Sequence, residues 1–147
     1  MNIYIVQHGL SEKDGFGKKV LTIEGIEKVE LIAGVAAGYG VKIDKIIHSE
    51  KIRAKQTAEL ISKKFGNVQF KESTGLKPLD SVENFRDKIE ANLMIVGHLP
   101  YLNRLVSYLV TGNIDKKIFD LQNGGILCLN KDEDGWVIKW GFMPNIS

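Results

Sequence analysis

Among 147 residues there is one cysteine, Cys128, and only three prolines. A single thiol closes no intramolecular disulfide and builds no Cys-rich zinc site, so the expected compartment is reducing and cytoplasmic. No apolar run approaches the ~20 residues needed to span a bilayer, which argues against a membrane role. The opening Met-Asn-Ile-Tyr-Ile-Val has no basic leader and reads as a strand, not a signal peptide. Charge of one sign is also missing. Twenty Lys+Arg face eighteen Asp+Glu, a balance of +2, which excludes a general nucleic-acid binder. There is no His-Glu-x-x-His spacing, so a metal site is not expected. Repeats, low-complexity tracts and linkers are absent as well. What remains is 44% hydrophobic and 26% charged, the composition of an ordinary globular chain. The length suits one domain over residues 1–147, expected to be a monomer, that buries roughly two-thirds of its unfolded surface.

Hydrophobic periodicity places the elements. Asn2 to Gln7 is β-branched and aromatic, a strand that runs into His8-Gly9. Leu10 to Val20 is polar, with Gly15, Gly17 and Lys18-Lys19, and is expected to be a mobile surface loop. Thr22 caps a helix whose apolar face is Ile26, Val29, Ile32, Ala33 and Ala36, stopped by Gly38-Tyr39-Gly40. Lys45 to His48 is a second strand, and Ser49 is placed to cap the next helix, with its stripe of Ala54, Ala58, Ile61 and Phe65. A short strand is expected over Val68 to Lys71 and a short polar helix over Ser81 to Glu90. The apolar strand Asn92 to Gly97 is expected at the centre of the sheet. Pro100 then opens a helix with Leu102, Leu105, Val106, Leu109 and Val110 on one face. Gly124 to Leu129 and Trp136 to Phe142 form a closing hairpin, with Trp136 and Trp140 expected on one face. The fold class is α/β: a three-layer α/β/α domain with a mostly parallel central sheet.

In such sheets ligands bind beyond the carboxyl ends of the strands. All three histidines of the chain, His8, His48 and His98, fall at such ends. Arg53 follows His48-Ser49 by one helical turn, where helix N-termini already favour negative charge. Two histidines, one arginine and two helix N-termini are the parts of a phosphate pocket.

Gln7-His8-Gly9, then Leu21-Thr22-x-x-Gly25, then Ser49-x-x-x-Arg53-Ala54-x-Gln56-Thr57, then Gly97-His98-Leu99-Pro100 resemble the motifs of the histidine phosphatase superfamily. The short length is most similar to its small SixA-type phosphohistidine phosphatases, with a phosphoglycerate mutase-like fold. The resemblance implies a phosphatase in which His8 accepts the phosphoryl group and water hydrolyses the phosphohistidine. It implies that Arg53 clamps the equatorial oxygens, that His98 donates to the same oxygens, and that the Leu99 backbone lies against the phosphate. No metal or cofactor is implied. The implied partner is a phosphorylated protein carrying phosphohistidine, or else a small phosphorylated substrate.

The chain also departs from the family pattern. Gln7 stands where arginine is usual and removes a charge and a bidentate donor. Lys19, ahead of the Leu21-Thr22 pair, is the candidate to restore that charge. Leu10 replaces an acidic residue and Glu50 a proline. Asp80, in the Leu76-Lys77-Pro78 loop, is the candidate general acid, with Glu83 behind it. A phosphoramidate needs little help from an acid, because its nitrogen leaving group arrives protonated. An alternative is a phosphate-binding or interaction module in which Gln7 has weakened catalysis. A further alternative is a small-molecule phosphomonoesterase. His48 and Cys128 are expected to be structural.

Overall fold

A computed structural model describes residues 1–146. Six strands form the main sheet: β1 (Asn2–Gln7), β4 (Lys45–His48), β5 (Phe70–Glu72), β6 (Leu93–Gly97), β7 (Ile126–Asp132) and β8 (Gly135–Phe142). Their order is β5-β4-β6-β1-β7-β8. The first four are parallel, and β7 and β8 close the sheet antiparallel. Among the described residues, no helix is long and apolar enough to cross a membrane.

Each strand divides its side chains between two cores, because successive residues point to opposite faces. Tyr4 and Val6 of β1, with Met94 and Val96 of β6, meet Val29, Ile32 and Ala36 of α1 (Ile23–Gly38) and Ala54, Ala58 and Ile61 of α2 (Ile52–Lys64). Ile3, Ile5 and Ile95 face the other way, onto Leu102, Leu105 and Leu109 of α3 (Tyr101–Thr111) and Phe85 of a 3₁₀ turn (Glu83–Lys88). Helices therefore cover both faces, which is why β6 can be apolar throughout.

Helix α1 starts where the capping signal puts it: the Thr22 hydroxyl accepts from the Gly25 amide at 2.9 Å. Gly25 is glycine for a steric reason. A Cβ there would lie 2.3 Å from the Leu10 carbonyl oxygen, so only a bare backbone lets the chain after β1 cross the first turn of α1.

Three expectations are corrected. The Leu10 to Val20 segment is not an irregular loop but a hairpin, β2 (Ser11–Lys13) with β3 (Lys19–Leu21). Its polar composition hid it, because this hairpin buries little and so shows no apolar alternation. Its turn is held by Asp14, whose Oδ1 accepts from the Phe16 amide at 2.8 Å and the Lys18 amide at 3.0 Å. Trp136 and Trp140 do not share a face. Cys128 pairs with Trp140 but Leu129 with Ile138. The extra residue, Lys139, is a bulge that reverses the alternation, so Trp136 packs with the α3 core and Trp140 with the α1/α2 core. Ser49 does not cap α2; Lys51 holds the cap position without a side-chain bond.

Candidate active site

Strand register does most of the assembly. Gln7 pairs with Gly97 and His48 with Val96, in the adjacent strands β1, β6 and β4. The residues just past those strands, His8, His98 and Ser49, are therefore set side by side. The His8 amide donates to the Gly97 carbonyl at 3.0 Å, and the Ser49 amide to the Val96 carbonyl at 3.1 Å. The rings of His8 and His98 lie 5.0 Å apart.

His8 Nδ1 lies 2.8 Å from the Gly9 carbonyl oxygen, and Arg53 Nε donates to His8 Nε2 at 3.3 Å. A carbonyl can only accept, so Nδ1 carries the proton and Nε2 keeps its lone pair. Burial lowers the His8 pKa below its usual 6.5; the Gly9 bond opposes this, while the Arg53 and Lys19 charges reinforce it. The free site thus holds a neutral imidazole with its lone pair on the arginine side.

His98 is 3% exposed. Its Nε2 meets the Ser49 hydroxyl at 2.5 Å, while its buried Nδ1 has no hydrogen-bond partner among the described residues. Ser49 also accepts from the Lys51 amide at 3.3 Å. Burial, then the charges of His8, Arg53 and Lys51, push the His98 pKa down to about 4. A negative ligand would oppose the electrostatic part of that shift and so raise the His98 pKa, while the larger burial part remains. Neither α2 nor α3 has a capping side chain, so their positive ends are available to an anion.

The family model described as histidine phosphatase superfamily, branch 1, matches residues 3–83. That span is just over half of the chain and holds His8, Ser49 and Arg53. The chain belongs to the histidine phosphatase superfamily. Membership makes it a phosphatase. An uncharacterized protein of Picosynechococcus sp. is 26% identical over 140 residues, covering 88% of this chain and 84% of that protein. The protein histidine phosphatase SixA complexed with tungstate superposes with a TM-score of 0.81 at 22% identity, covering 98% and 97% of the two chains. The phosphoserine phosphatase of Entamoeba histolytica gives 0.72 at 18% identity, with 95% of each chain covered. These two structures share the three-layer fold found in this phosphatase.

Two cavities are lined by residues that bond to the histidine pair, though by neither histidine itself. One, of about 430 Å³, is lined by Ser49, Glu50, Leu76, Lys77, Asp80 and Asn84 among others. The other, of about 360 Å³, is lined by Lys13, Lys18, Lys19, Lys51, Ile52 and Arg53, with Glu50 and Gly17. Ser49 ties the first to His98 and Arg53 ties the second to His8. Lys19 thus stands on the Arg53 side. Asp80 stands on the Ser49 side, its Oδ2 accepting from the Lys77 amide at 2.9 Å, with no hydrogen bond to either histidine. Glu83 is exposed and turned to Ser81. Gln7 is half-buried, its buried Oε1 unpartnered. Leu99 follows His98, half-buried at the entry to α3. His48 is buried against Phe70, ring centres 6.1 Å apart, with Nδ1 at the Ser49 carbonyl. Among the described residues no three His, Cys, Asp or Glu side chains converge as a metal site.

Two positioning residues carried no role in the sequence reading. The Thr57 hydroxyl accepts from the Gly9 amide at 2.9 Å and donates to the Arg53 carbonyl at 2.8 Å, tying the His8 loop to the Arg53 turn. Its spacing of four from Arg53 was the available signal. Asn123 Nδ2 donates to the His8 carbonyl at 2.8 Å across 115 residues. Nothing local to Asn123 announces that.

Proposed function

We propose that this chain is a metal-independent phosphohydrolase that works through a phosphohistidine at His8, with protein phosphohistidine as its substrate class. The observation that carries the reading is the fixed tautomer of His8. The Gly9 carbonyl holds the proton on Nδ1 and leaves the Nε2 lone pair beside Arg53. No separate base is required, because burial keeps the imidazole neutral.

In the first step His8 Nε2 attacks phosphorus and the substrate P–N bond breaks. The departing imidazole leaves neutral, its proton already on the distal nitrogen. One P–N bond replaces another, so the exchange is close to balanced before the site acts on it. Arg53 turns its fork to the phosphoryl oxygens, and His98, protonated when the anion is bound, donates to the same oxygens. In the second step water attacks phosphorus, the His8–phosphorus bond breaks, and orthophosphate leaves with His8 neutral again. Lys19 adds positive charge on the Arg53 side in place of the arginine that Gln7 does not provide. The Leu99 backbone faces the phosphate at the start of α3. Asp80, on the wall of the cavity that reaches Ser49, is the proton source when the leaving group is an alkoxide. Tungstate, a tetrahedral oxyanion like phosphate, is bound by the similar SixA structure, which supports an oxyanion as the kind of ligand this fold takes.

The test is phosphorus NMR of a phosphohistidine peptide without added metal. Wild type is expected to release orthophosphate and to form an acid-labile phosphoenzyme. His8→Ala is expected to do neither, and Arg53→Ala to lose on the order of 100-fold or more in rate. Turnover by His8→Ala at the wild-type rate would refute the mechanism.

A further inference from the structure

Lysines of the β2–β3 hairpin are held together against their own repulsion. Lys13 and Lys19 are directly opposite each other in register, an arrangement that costs stability between like charges. Lys18 and Lys51 join them around the same cavity, which reaches Arg53. Among the described residues none of Lys13, Lys18, Lys19 and Lys51 is in an ion pair. The one carboxylate on that wall, Glu50, lies 3.9 Å from Lys77. The field is felt at the site: Lys19 acts on His8 and Lys51 on His98.

The hairpin tip carries a second feature. Phe16 is 92% exposed, and the Asp14 turn that orders its backbone holds it there. Ile52, on the wall of the same cavity, is also exposed. Phe16 is not among the residues that line the cavity, so an ordered, uncovered aromatic stands outside the pocket beside a cationic wall. It suits a macromolecular surface with an apolar patch and carboxylates.

We propose that the β2–β3 hairpin is a docking arm for a protein substrate whose phosphohistidine is flanked by acidic residues. Lys13, Lys18, Lys19 and Lys51 pair with those carboxylates, and Phe16 covers apolar surface next to them. The inference rests on the phosphohistidine reading above and names what surrounds the phosphorylated residue.

The experiment is equilibrium binding by fluorescence anisotropy of peptides that carry a stable phosphonotriazole analogue of phosphohistidine. One peptide has Asp and Glu flanks and the other has Gln. The intact wild-type chain is expected to bind the acidic peptide about tenfold tighter, from several weak screened pairs. That preference is expected to shrink as salt is raised. Lys13→Gln with Lys18→Gln should bring the two peptides within about twofold, and Phe16→Ser should weaken both. Melting temperature checks that these exposed changes leave the fold intact. Equal affinity of wild type for the two peptides, a preference kept by the double lysine variant, or tighter binding of a single-stranded oligonucleotide would each overturn the docking arm. Orthophosphate release from a true phosphohistidine peptide is read separately. Its absence alongside a retained acidic preference would refute the phosphatase mechanism and leave the docking arm standing.

Discussion

The proposed chemistry turns on one proton. With Nδ1–H donated to the Gly9 carbonyl, His8 presents a lone pair, and the other tautomer would present a hydrogen to phosphorus. Whether the lone pair survives in mild acid depends on burial and on the neighbouring cations, which lower the His8 pKa, against the Gly9 bond, which raises it. Lowering wins in sum, so His8 is expected to stay neutral below the ordinary titration point. Ring-proton NMR of the free enzyme should give a His8 midpoint below 6.5 and one near 4 for His98. A His8 midpoint at or above 6.5 would mean that the proposed nucleophile rests charged over much of the acid range. At this scale His8, Arg53 and His98 were legible from type and position. Thr57 stands out in the sequence only as part of a motif, because its two bonds depend on where the His8 loop passes over α2.

At the scale of elements, capped and periodic segments were read well. The start of α1 at Thr22, the strand Lys45–His48 and the apolar β6 need only local information. The β2–β3 hairpin was read as a loop because polar, solvent-facing strands have no periodicity to detect. Ser49 was read as a helix cap because serine before a helix usually is one; here His98 takes its hydroxyl instead. Glycine separates the two kinds of position inside α1. Gly25→Ala is expected to destabilise the fold by about 1–3 kcal/mol, because a methyl there meets the Leu10 carbonyl with no room to shift. Gly34, on the exposed face of the same helix with open space around it, is expected to change in the opposite sense, gaining up to ~1 kcal/mol as alanine. Urea melts of both variants check the pair. A neutral Gly25→Ala would show that the chain after β1 does not need the close crossing.

For the whole molecule, buried His98 and half-buried His8 link folding to pH. An imidazole whose folded pKa is depressed binds its proton more readily when unfolded, so acid favours the unfolded chain. For His98 that contribution is absent above 6.5, grows as pH falls, and is complete near 4. His8 acts in the same direction, since its pKa is also lowered. Thermal melts between pH 7 and pH 4 are expected to show falling stability, with a shallower slope in His98→Asn over that window. An unchanged slope would mean that His98 titrates normally in the folded protein. Apart from the β2–β3 hairpin, the elements were within reach of the amino-acid sequence because caps, breakers and apolar stripes act over a few residues. So were the three histidines at strand ends and the motif that joins Ser49 to Arg53. The strand order β4-β6-β1, which sets Ser49, His98 and His8 in a row, was decided only in three dimensions. So were the Asn123 bond to His8 and the bulge at Lys139 that parts the tryptophans. These depend on register and on contacts between residues tens of positions apart, where no local preference constrains the partner.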